Sequence, residues 1–435
     1  MSSPPRRERA RIETADRQQV RWEMRDLEAE LPDDHRARVI VAAVERMDLS
    51  AFYEQIRARG SAPGRPALDP AVLLSLWLFA TSEGVGSAKH LERLCQRDLP
   101  YRWICGGMTP NAHSLSDFRA MHGDKLDTLM TQLLASLMHK GLVKLRRVTQ
   151  DGMRLRAHAG TGKFHRKPKL EEQLEEARAQ IATLKAELES DTSASLDREQ
   201  AAKMRAAAER QRKLEAALNE MPKVARTHER TRAQRARNAA KKGKSFDDDG
   251  PRVSTTDPEA RVMKMGDGGF RPAYNVQYAT DTESRVIVGV AVTNVGSDRS
   301  EMVPMLEQIE QRTNVRPSEY LVDGGFANLE AITTMEQRGV SVYAPVRKQR
   351  SSEADPHARK PGDSDEVARW RARMATTTAQ EIYKQRGSVA ETINADQRHW
   401  RGMTRARLVG QTKVLAQTRM GVLLHNVLRA HALGA

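Results

Sequence analysis

The stretch KLRRVTQDGMRLRAH, residues 144–158, decides the fold of this chain because the sequence pattern changes here from helical to extended. The β-branched residues Val148 and Thr149 lead into Asp151-Gly152, and the positions after the glycine alternate between apolar and charged side chains. Such alternation is typical of a half-buried strand, and a glycine inside it indicates a bend. We therefore predict a β-strand that carries Asp151 and bends at Gly152.

Apolar residues on the N-terminal side of this strand recur at helical spacing from Asp33 to about Leu142. Asp69 before Pro70 predicts the start of one of these helices, with an N-cap side chain followed by proline at the first helical position. The pattern predicts an all-helical domain, residues 31–142, preceded by a basic arm, residues 1–30. In a basic protein, a small helical domain is a candidate DNA-binding module.

The segment that follows the strand has the apolar spacing of a coiled coil. Leucine, alanine and isoleucine step by four and three from Leu170 to Leu188, and the same stepping returns from Ala207 to Met221. The run 223–244 then holds nine Lys and Arg residues against one Glu. Such a run is usually solvated, and contact with nucleic acid is the alternative. We predict an insertion over residues 163–251 that consists of an antiparallel coiled-coil hairpin and a basic linker.

After Gly250-Pro251 the apolar period changes to two, and a β-hairpin is predicted from Tyr274 to Asn294. A helix, the strand EYLVD ending at Asp323, a second helix and the strand VSVYAPV follow. This order is typical of an α/β domain with a parallel portion. The predicted fold class is therefore α+β multidomain, with an N-terminal all-helical domain and an α/β domain, residues 143–162 and 252–435, that the helical insertion interrupts.

Composition narrows the choice of partners. The chain has 435 residues and a net charge of +15, which favours polyanionic partners such as nucleic acid. Its two cysteines are too few for a disulfide framework or a four-thiolate zinc site. The N-terminus lacks the apolar stretch of a signal peptide, and the longest apolar run, residues 71–80, is about half of a membrane span. We expect a soluble, cytoplasmic protein without a membrane partner.

Two carboxylates occupy comparable places in the predicted sheet. Asp151 interrupts one strand, Asp323 ends another, and each is followed by glycine. Carboxylates at the ends of adjacent strands converge and suit a hard cation such as Mg²⁺. Glu391 is the best third ligand, and in a helix Arg398, seven residues later, would share its face and reach a phosphate. The alternatives, ordinary Asp-Gly turns and a solvated helix of mixed charge, remain open.

Five motifs follow one another along the second part of the chain. They are QDGMRLRAHAG at 150–160, TTDPEARVMKMGDGGFRPAYNVQYATD at 255–281, VTNVGSDRSEMVPML at 292–306, YLVDGGFAN at 320–328 and YKQRGSVAETINADQR at 383–398. In this order they resemble the DDE transposases of bacterial insertion sequences. Residues 67–107 and 114–122 are similar to the helical DNA-binding domain that precedes the catalytic domain in that group.

The resemblance implies a ribonuclease H-like catalytic fold with Asp151 on the first strand, Asp323 on the fourth and Glu391 on a following helix. The Tyr, Arg and Glu signature of the family falls on Tyr383, Arg386 and Glu391. Arg398 stands where the family usually has Lys, and Met153 stands where a small hydroxylated residue is common. Arginine keeps the charge but presents a planar fork, so a role in positioning phosphate is expected to remain.

The activity implied by the resemblance is DNA transposition. Asp151, Asp323 and Glu391 would hold two Mg²⁺ ions, with Mn²⁺ as a possible substitute, to cleave phosphodiester bonds at the ends of the element. The freed 3′-hydroxyl would then be joined to target DNA. The expected partners are double-stranded DNA, as terminal inverted repeats and target, and a second copy of the chain on that DNA. The expected location is the bacterial cytoplasm, in association with the nucleoid.

Basic residues in two segments are candidates for contact with DNA phosphates, although each, taken singly, is also compatible with an ordinary solvated charge. They are Arg405, Arg407, Lys413, Arg232, Arg235, Lys241 and Lys242. Two other functions stay open, a catalytically inactive, sequence-specific DNA-binding protein derived from a transposase and a coiled-coil scaffold. Three convergent carboxylates argue against the first, and the scaffold leaves the α/β half unexplained.

Overall fold

The computed structural model describes residues 26–56, 66–190, 198–241, 250–347 and 355–435, and the single positions 24, 243, 245, 246 and 248. The predicted basic arm therefore lies mostly outside the described residues. Within them, the N-terminal part is helical, as predicted. Its helices are α1 (Leu27–Glu30), α2 (Arg36–Glu45), α3 (Ser50–Tyr53), α4 (Pro70–Ser82), α5 (Ala88–Arg97), α6 (Leu99–Cys105), α7 (Ala112–Met121) and α8 (Gly123–His139).

Helix α4 begins where the sequence predicts. The Asp69 carboxylate accepts the backbone N–H of Ala71 at 2.8 Å, and Pro70 occupies the first helical position. Because the first N–H groups of a helix lack partners inside it, this cap stabilises the N-terminus. The apolar run 71–80 forms most of α4 and is largely buried, so it is a core helix. Within the described chain, no helix is both long and apolar enough to cross a membrane.

The second part of the chain forms a mixed sheet of six strands. Its strands are β1 (Arg147–Arg156), β4 (Arg261–Lys264), β5 (Phe270–Asp281), β6 (Ile287–Thr293), β7 (Glu319–Leu321) and β8 (Ser341–Tyr343). β1 lies in the middle, antiparallel to β5 and parallel to β7, and β7 is parallel to β8. β6 and β4 both pair antiparallel with β5, so the predicted hairpin and the predicted parallel portion are confirmed.

The predicted bend at Gly152 is wrong, because β1 continues through this position in regular register with Gln277 of β5. Glycine is required here for space. A Cβ atom would lie 2.6 Å from an Asp298 oxygen and 2.7 Å from the Gln277 amide nitrogen. Such contacts are closer than side chains tolerate, so the absent side chain leaves room for polar groups on this face of the sheet.

Helices cover the sheet and connect it with the N-terminal part. They are α11 (Met302–Thr313), α12 (Leu329–Gln337), α13 (Asp365–Ala375), α14 (Thr377–Ala395) and α15 (Gln411–Ala432). α15 packs on both α8 and β6, and the Asn426 side chain on α15 bonds both backbone groups of Ile287, at 2.9 and 2.8 Å. One hydrophobic core therefore contains residues of the N-terminal helices, the sheet and α15.

The insertion consists of two long helices that pack side by side, α9 (Lys167–Ser190) and α10 (Arg198–Ala240). Leu170, Leu174 and Ala177 of the predicted seam are buried against residues of α10. The short strands β2 (Phe164–His165) and β3 (Val253–Ser254) pair at the base of the insertion.

The predicted basic linker is helical up to Ala240, because α10 continues through Pro222. Alanine and arginine dominate this stretch, and both have high helix propensity. Pro222 is exposed, so solvent is available to the carbonyl group that loses its partner there.

Candidate active site

Two of the predicted carboxylates meet at the middle of the sheet. Asp151 lies in β1, and Asp323 follows the end of β7, the parallel neighbour of β1. One guanidinium nitrogen of Arg386, on α14, lies 3.2 Å from an Asp151 oxygen and 3.8 Å from an Asp323 oxygen. We call these three residues the carboxylate site. Two acids from neighbouring strands thus share one cation.

The two carboxylates differ in their surroundings. The Asp151 side chain is 18% exposed, whereas that of Asp323 is 43% exposed. Burial raises the pKa of Asp151, and the positive charge of Arg386 opposes this effect. Asp323 accepts the backbone N–H of Gly325 at 2.7 Å, which fixes its orientation in the turn after β7. Asp151 is therefore a carboxylate in a location that favours a neighbouring positive charge.

Asn394 is a site residue that the sequence analysis missed. Its amide donates a hydrogen bond of 2.9 Å to Oδ2 of Asp151, while Oδ1 of Asp151 accepts the backbone N–H of Gly152 at 3.0 Å. Asn394 stands three residues after Glu391, a spacing that places both on neighbouring positions of one helical face. That spacing is the signal from which its position could have been predicted.

Tyr383 and Arg386 lie one turn apart on α14, on the face directed at the sheet. Burial raises the pKa of the half-buried Tyr383 hydroxyl, and the charge of Arg386 opposes the shift. Within the described chain, Nε of Arg386 is buried without a hydrogen-bond partner. The α14 segment therefore supplies the positive charge of the site together with a neighbouring aromatic hydroxyl.

Glu391 is on the same helix but is exposed to solvent. Among the described residues, no group of three or more His, Cys, Asp and Glu side chains is arranged to hold a metal ion. A Cβ atom at Gly387, one turn earlier, would lie 4.0 Å from a Glu391 oxygen, so the glycine leaves the space beside this carboxylate open. The structure thus brings Asp151 and Asp323 together and leaves Glu391 on the adjoining surface of α14.

Arg398 does not follow the α-helical face of Glu391 as the sequence analysis expected. α14 ends at Ala395, and a π-helical turn, Asp396–Trp400, takes over with a different number of residues per turn. Arg398 is half-buried in this turn. Burial raises the pKa of the Tyr278 hydroxyl, and the charge of Arg398 opposes this shift, so Arg398 lies near the strand that pairs with β1.

The predicted DNA-contacting residues fall into two exposed groups within the described residues. Arg405 and Arg407 lie between α14 and α15, and Lys413 lies in the first turn of α15. Arg232, Arg235 and Lys241 are exposed in α10 or directly after it, and Arg232 pairs with Asp248 at 2.8 Å. Lys242 lies outside the described residues.

A buried polar network on the opposite face of the sheet was also missed. Asp298, in the loop after β6, accepts hydrogen bonds from Asn275 at 2.6 Å and Gln277 at 2.7 Å. Arg154 of β1 forms an ion pair with the same carboxylate at 3.2 Å. Alternate polar residues in buried strands are the sequence signal for such a network. The network holds the loop after β6 against β1, directly behind Asp151.

Two family models match the chain. The model described as "Transposase domain (DUF772)" matches residues 25–121, and the model described as "Transposase DDE domain" matches residues 245–427. The second range contains Asp323, Arg386 and Glu391, whereas Asp151 lies between the two ranges. No curated protein and no solved structure matches the chain significantly. The two matches, in the order helical region and then DDE region, show that this chain belongs to the DDE transposases of insertion elements.

Proposed function

We propose that this transposase cleaves phosphodiester bonds at the ends of its own element and joins the 3′-hydroxyl groups to target DNA, with Asp151, Asp323 and Glu391 as ligands of divalent metal ions. One observation carries the proposal. Arg386 joins the carboxylates of Asp151 and Asp323, which come from neighbouring strands 172 residues apart. A protein that only binds DNA has no use for two acids held at one point, since DNA is itself an anion.

The donor set suits a hard divalent cation. Carboxylate oxygens are preferred ligands of Mg²⁺, and Mn²⁺ accepts the same ligands. Burial of Asp151 disfavours its charged form, so a cation beside it is stabilising. Glu391 fits by chemistry and by its place on α14, close to Asn394. The bound metal ions would activate the attacking water or 3′-hydroxyl and stabilise the leaving oxygen of an in-line displacement.

The other residues of the site act on orientation and charge. The Asn394 amide donates to Oδ2 of Asp151 and so orients this carboxylate. Arg386 keeps the two carboxylates together, and with Tyr383 it occupies the signature positions of the family. We assign Arg398 to phosphate positioning, because its planar fork can bond two phosphate oxygens.

The topology supports a ribonuclease H-like catalytic domain. β1, with Asp151, lies at the centre of the sheet, and β7, which leads to Asp323, is its parallel neighbour. When the two-stranded β2–β3 sheet and the edge strand β4 are set aside, β7 is the fourth strand in chain order. The buried seam between α9 and α10 likewise supports a coiled-coil insertion after the first strand.

DNA contacts are assigned to both exposed basic groups. Arg405, Arg407 and Lys413 form one group, and Arg232, Arg235 and Lys241 form the other. Phosphate contacts release counterions, so binding should weaken steeply with salt. Two element ends must be cut and joined together, and a homodimer on the DNA satisfies this requirement.

Cleavage of an end-labelled duplex with the terminal sequence of the element tests the proposal. We expect nicking at the element end in Mg²⁺, none in EDTA, and none with Asp323→Asn in either condition. Binding of the duplex by Asp323→Asn should equal that of the unaltered chain, because Asp323 is not a DNA contact. If the unaltered chain binds the end but cuts it with neither Mg²⁺ nor Mn²⁺, it is an inactive DNA-binding relative instead.

A further inference from the structure

Arg119, on α7, is a buried cation without an acidic partner. The residue is 6% exposed, and its guanidinium lies 4.2 Å from the centre of the Trp77 ring. Nη1 donates to the carbonyl oxygen of Gly86 at 2.7 Å, and Nε has no hydrogen-bond partner within the described chain. Among the described residues, Arg119 forms no ion pair. Buried arginines are rarely left without a carboxylate, so this charge is unbalanced.

A second arginine lies beside the first and increases the imbalance. Burial and, as the smaller cause, the positive charge of Arg407 together lower the pKa of Arg119 to about 10. Arg407 is exposed and has no ion-pair partner in the described part of the chain. Its backbone N–H is held by the Gln417 side chain at 2.9 Å. Two neighbouring positive charges without a counterion attract an anion.

The absence of a side chain at Gly86 leaves the space in which the Arg407 side chain lies. A Cβ atom at Gly86 would lie 3.1 Å from both Cγ and Nε of Arg407, so the arginine side chain rests directly on this glycine. Gly402 likewise lies close to Gly84, because a Cβ atom added at Gly402 would lie 3.2 Å from the carbonyl oxygen of Gly84. The segment before α15 is thus seated on the loop 84–87, which belongs to the N-terminal helical part.

Helix α5 begins at this same loop. Ser87 is its N-cap and accepts the backbone N–H of His90 at 3.4 Å, which satisfies one N–H group of the first turn. The positive end of the helix dipole at this position favours an anion. Lys89, Arg93 and Arg97 are exposed at intervals of four residues and form a basic row along one face. The opposite face is buried through Leu91 and Cys95. The basic row begins three residues after Gly86, the glycine that both arginines contact.

We propose that the N-terminal end of α5, Arg119 and Arg407, together called the arginine site, bind one backbone phosphate of duplex DNA, and that the row Lys89, Arg93 and Arg97 lies along the same DNA. The inference rests on the proposed function, because the duplex on which the carboxylate site acts is the ligand. Since Arg407 belongs to the C-terminal segment and α5 to the N-terminal helical part, the two parts of the chain contact the same duplex.

Fluorescence anisotropy with a labelled, mixed-sequence duplex tests the proposal on the full chain at several salt concentrations. Arg407→Gln should weaken binding by about threefold to tenfold and lower the slope of log affinity against log salt by about 0.9, the value for one lost phosphate contact. The matched control is Arg369→Gln, an exposed arginine on α13 that pairs with Glu366 at 3.3 Å. It removes the same charge elsewhere and should change neither quantity.

Gly86→Ala supplies a second test, because its methyl group displaces the Arg407 side chain without altering any charge. It should weaken binding in the unaltered chain and have no further effect in Arg407→Gln. The proposal is overturned if Arg407→Gln binds like Arg369→Gln, or if Gly86→Ala is equally harmful in both backgrounds. If the unaltered chain nicks element ends and Arg407→Gln binds normally, this inference and the assignment of Arg407 to DNA contact are refuted, whereas the cleavage proposed for the carboxylate site stands. An unaltered chain that binds no duplex would refute the proposed function as well.

Discussion

The carboxylate site and the arginine site carry excess charge of opposite sign. In the first, Asp151 and Asp323 share the single cation of Arg386. In the second, Arg119 and Arg407 have no carboxylate within salt-bridge distance among the described residues. The first region has an excess of negative charge that metal ions can balance, and the second has an excess of positive charge that phosphate can balance. The carboxylate site therefore lacks cations, which metal ions would supply, and the arginine site lacks an anion, which a DNA phosphate would supply.

A third arginine shows that this contrast is specific. Arg401 lines the same cavity as Arg119, but its Nε and Nη2 donate to the Asp396 carboxylate, at 3.2 and 2.8 Å. Asp396 also accepts a hydrogen bond from His425, at 3.0 Å. Arg401 therefore has a carboxylate partner in this cavity, whereas Arg119 has none among the described residues. Arg401 has a structural role, and Arg119 is left to a ligand.

The largest expected effect separates the two regions by function. Asp151→Asn should reduce nicking of the element end by more than about a hundredfold, because loss of a metal ligand exceeds the 10–100-fold effects of residues that orient ligands. Its affinity for the duplex should be unchanged or slightly higher, since a negative charge is removed. Arg407→Gln should show the reverse pattern in the same two assays. The contrast fails if both variants lose cleavage and binding in parallel.

Asn394→Ala should reduce nicking by about 10–100-fold, since the Asp151 carboxylate loses its orienting hydrogen bond. The expected signature is a higher metal concentration for half-maximal nicking, with duplex affinity unchanged. Asn238→Ala, in the exposed part of α10, is a control of identical chemistry and should leave this concentration unchanged. An unaltered metal requirement in Asn394→Ala would remove Asn394 from the site.

Arg386→Gln should lower stability in EDTA by about 1–3 kcal/mol, because Asp151 is left buried without its cation. Mg²⁺ should restore part of the loss, since a ligand that binds the folded state stabilises it. Thermal unfolding of Arg386→Gln and the unaltered chain, with and without Mg²⁺, measures both effects. Equal melting temperatures in EDTA would show that the shared cation is unimportant for stability.

A smaller effect concerns acid stability. Burial raises the pKa of Asp396, but the hydrogen bond and charge of His425 and the charge of Arg401 outweigh it and hold the pKa below the usual 3.8. A lowered folded-state pKa contributes stability above the unfolded value that is lost as pH falls through the folded one. Asp396→Asn should therefore destabilise the chain at neutral pH and reduce the dependence of stability on pH below about 4. Urea unfolding of Asp396→Asn and of the unaltered chain, at neutral pH and below about pH 4, measures the free energy of unfolding under each condition.

The parts of this molecule that sequence predicts are those in which local patterns determine structure. The start of α4 at Asp69 and Pro70 and the β5–β6 hairpin follow from capping and from alternation. The proximity of Asp151 and Asp323 follows from the rule that neighbouring strand ends converge. The cap and the hairpin depend on residues close together in sequence, and the proximity of the two carboxylates depends only on which strands are neighbours.

The parts that the sequence does not predict depend on contacts between distant residues. Gly152 suggests a bend, yet its role is to admit Asp298, which lies 146 positions later. The spacing from Glu391 indicates the helical face of Asn394 but not its partner Asp151, and Arg119 looks like an ordinary helical residue until its partner Gly86 is known. The π-helical turn at Asp396–Trp400 likewise has no periodicity signal, so the face of Arg398 could not be assigned from spacing alone.

Direct binding of Mn²⁺ to the full chain, followed by electron paramagnetic resonance, tests the central claim that Asp151 and Asp323 form a cation site. We expect saturable binding by the unaltered chain and by Arg407→Gln, and strongly weakened binding by Asp151→Asn and by Asp323→Asn. The exposed Asp365→Asn on α13 should bind like the unaltered chain. Mn²⁺ binding of equal strength in all five proteins would contradict the assignment of the carboxylate site.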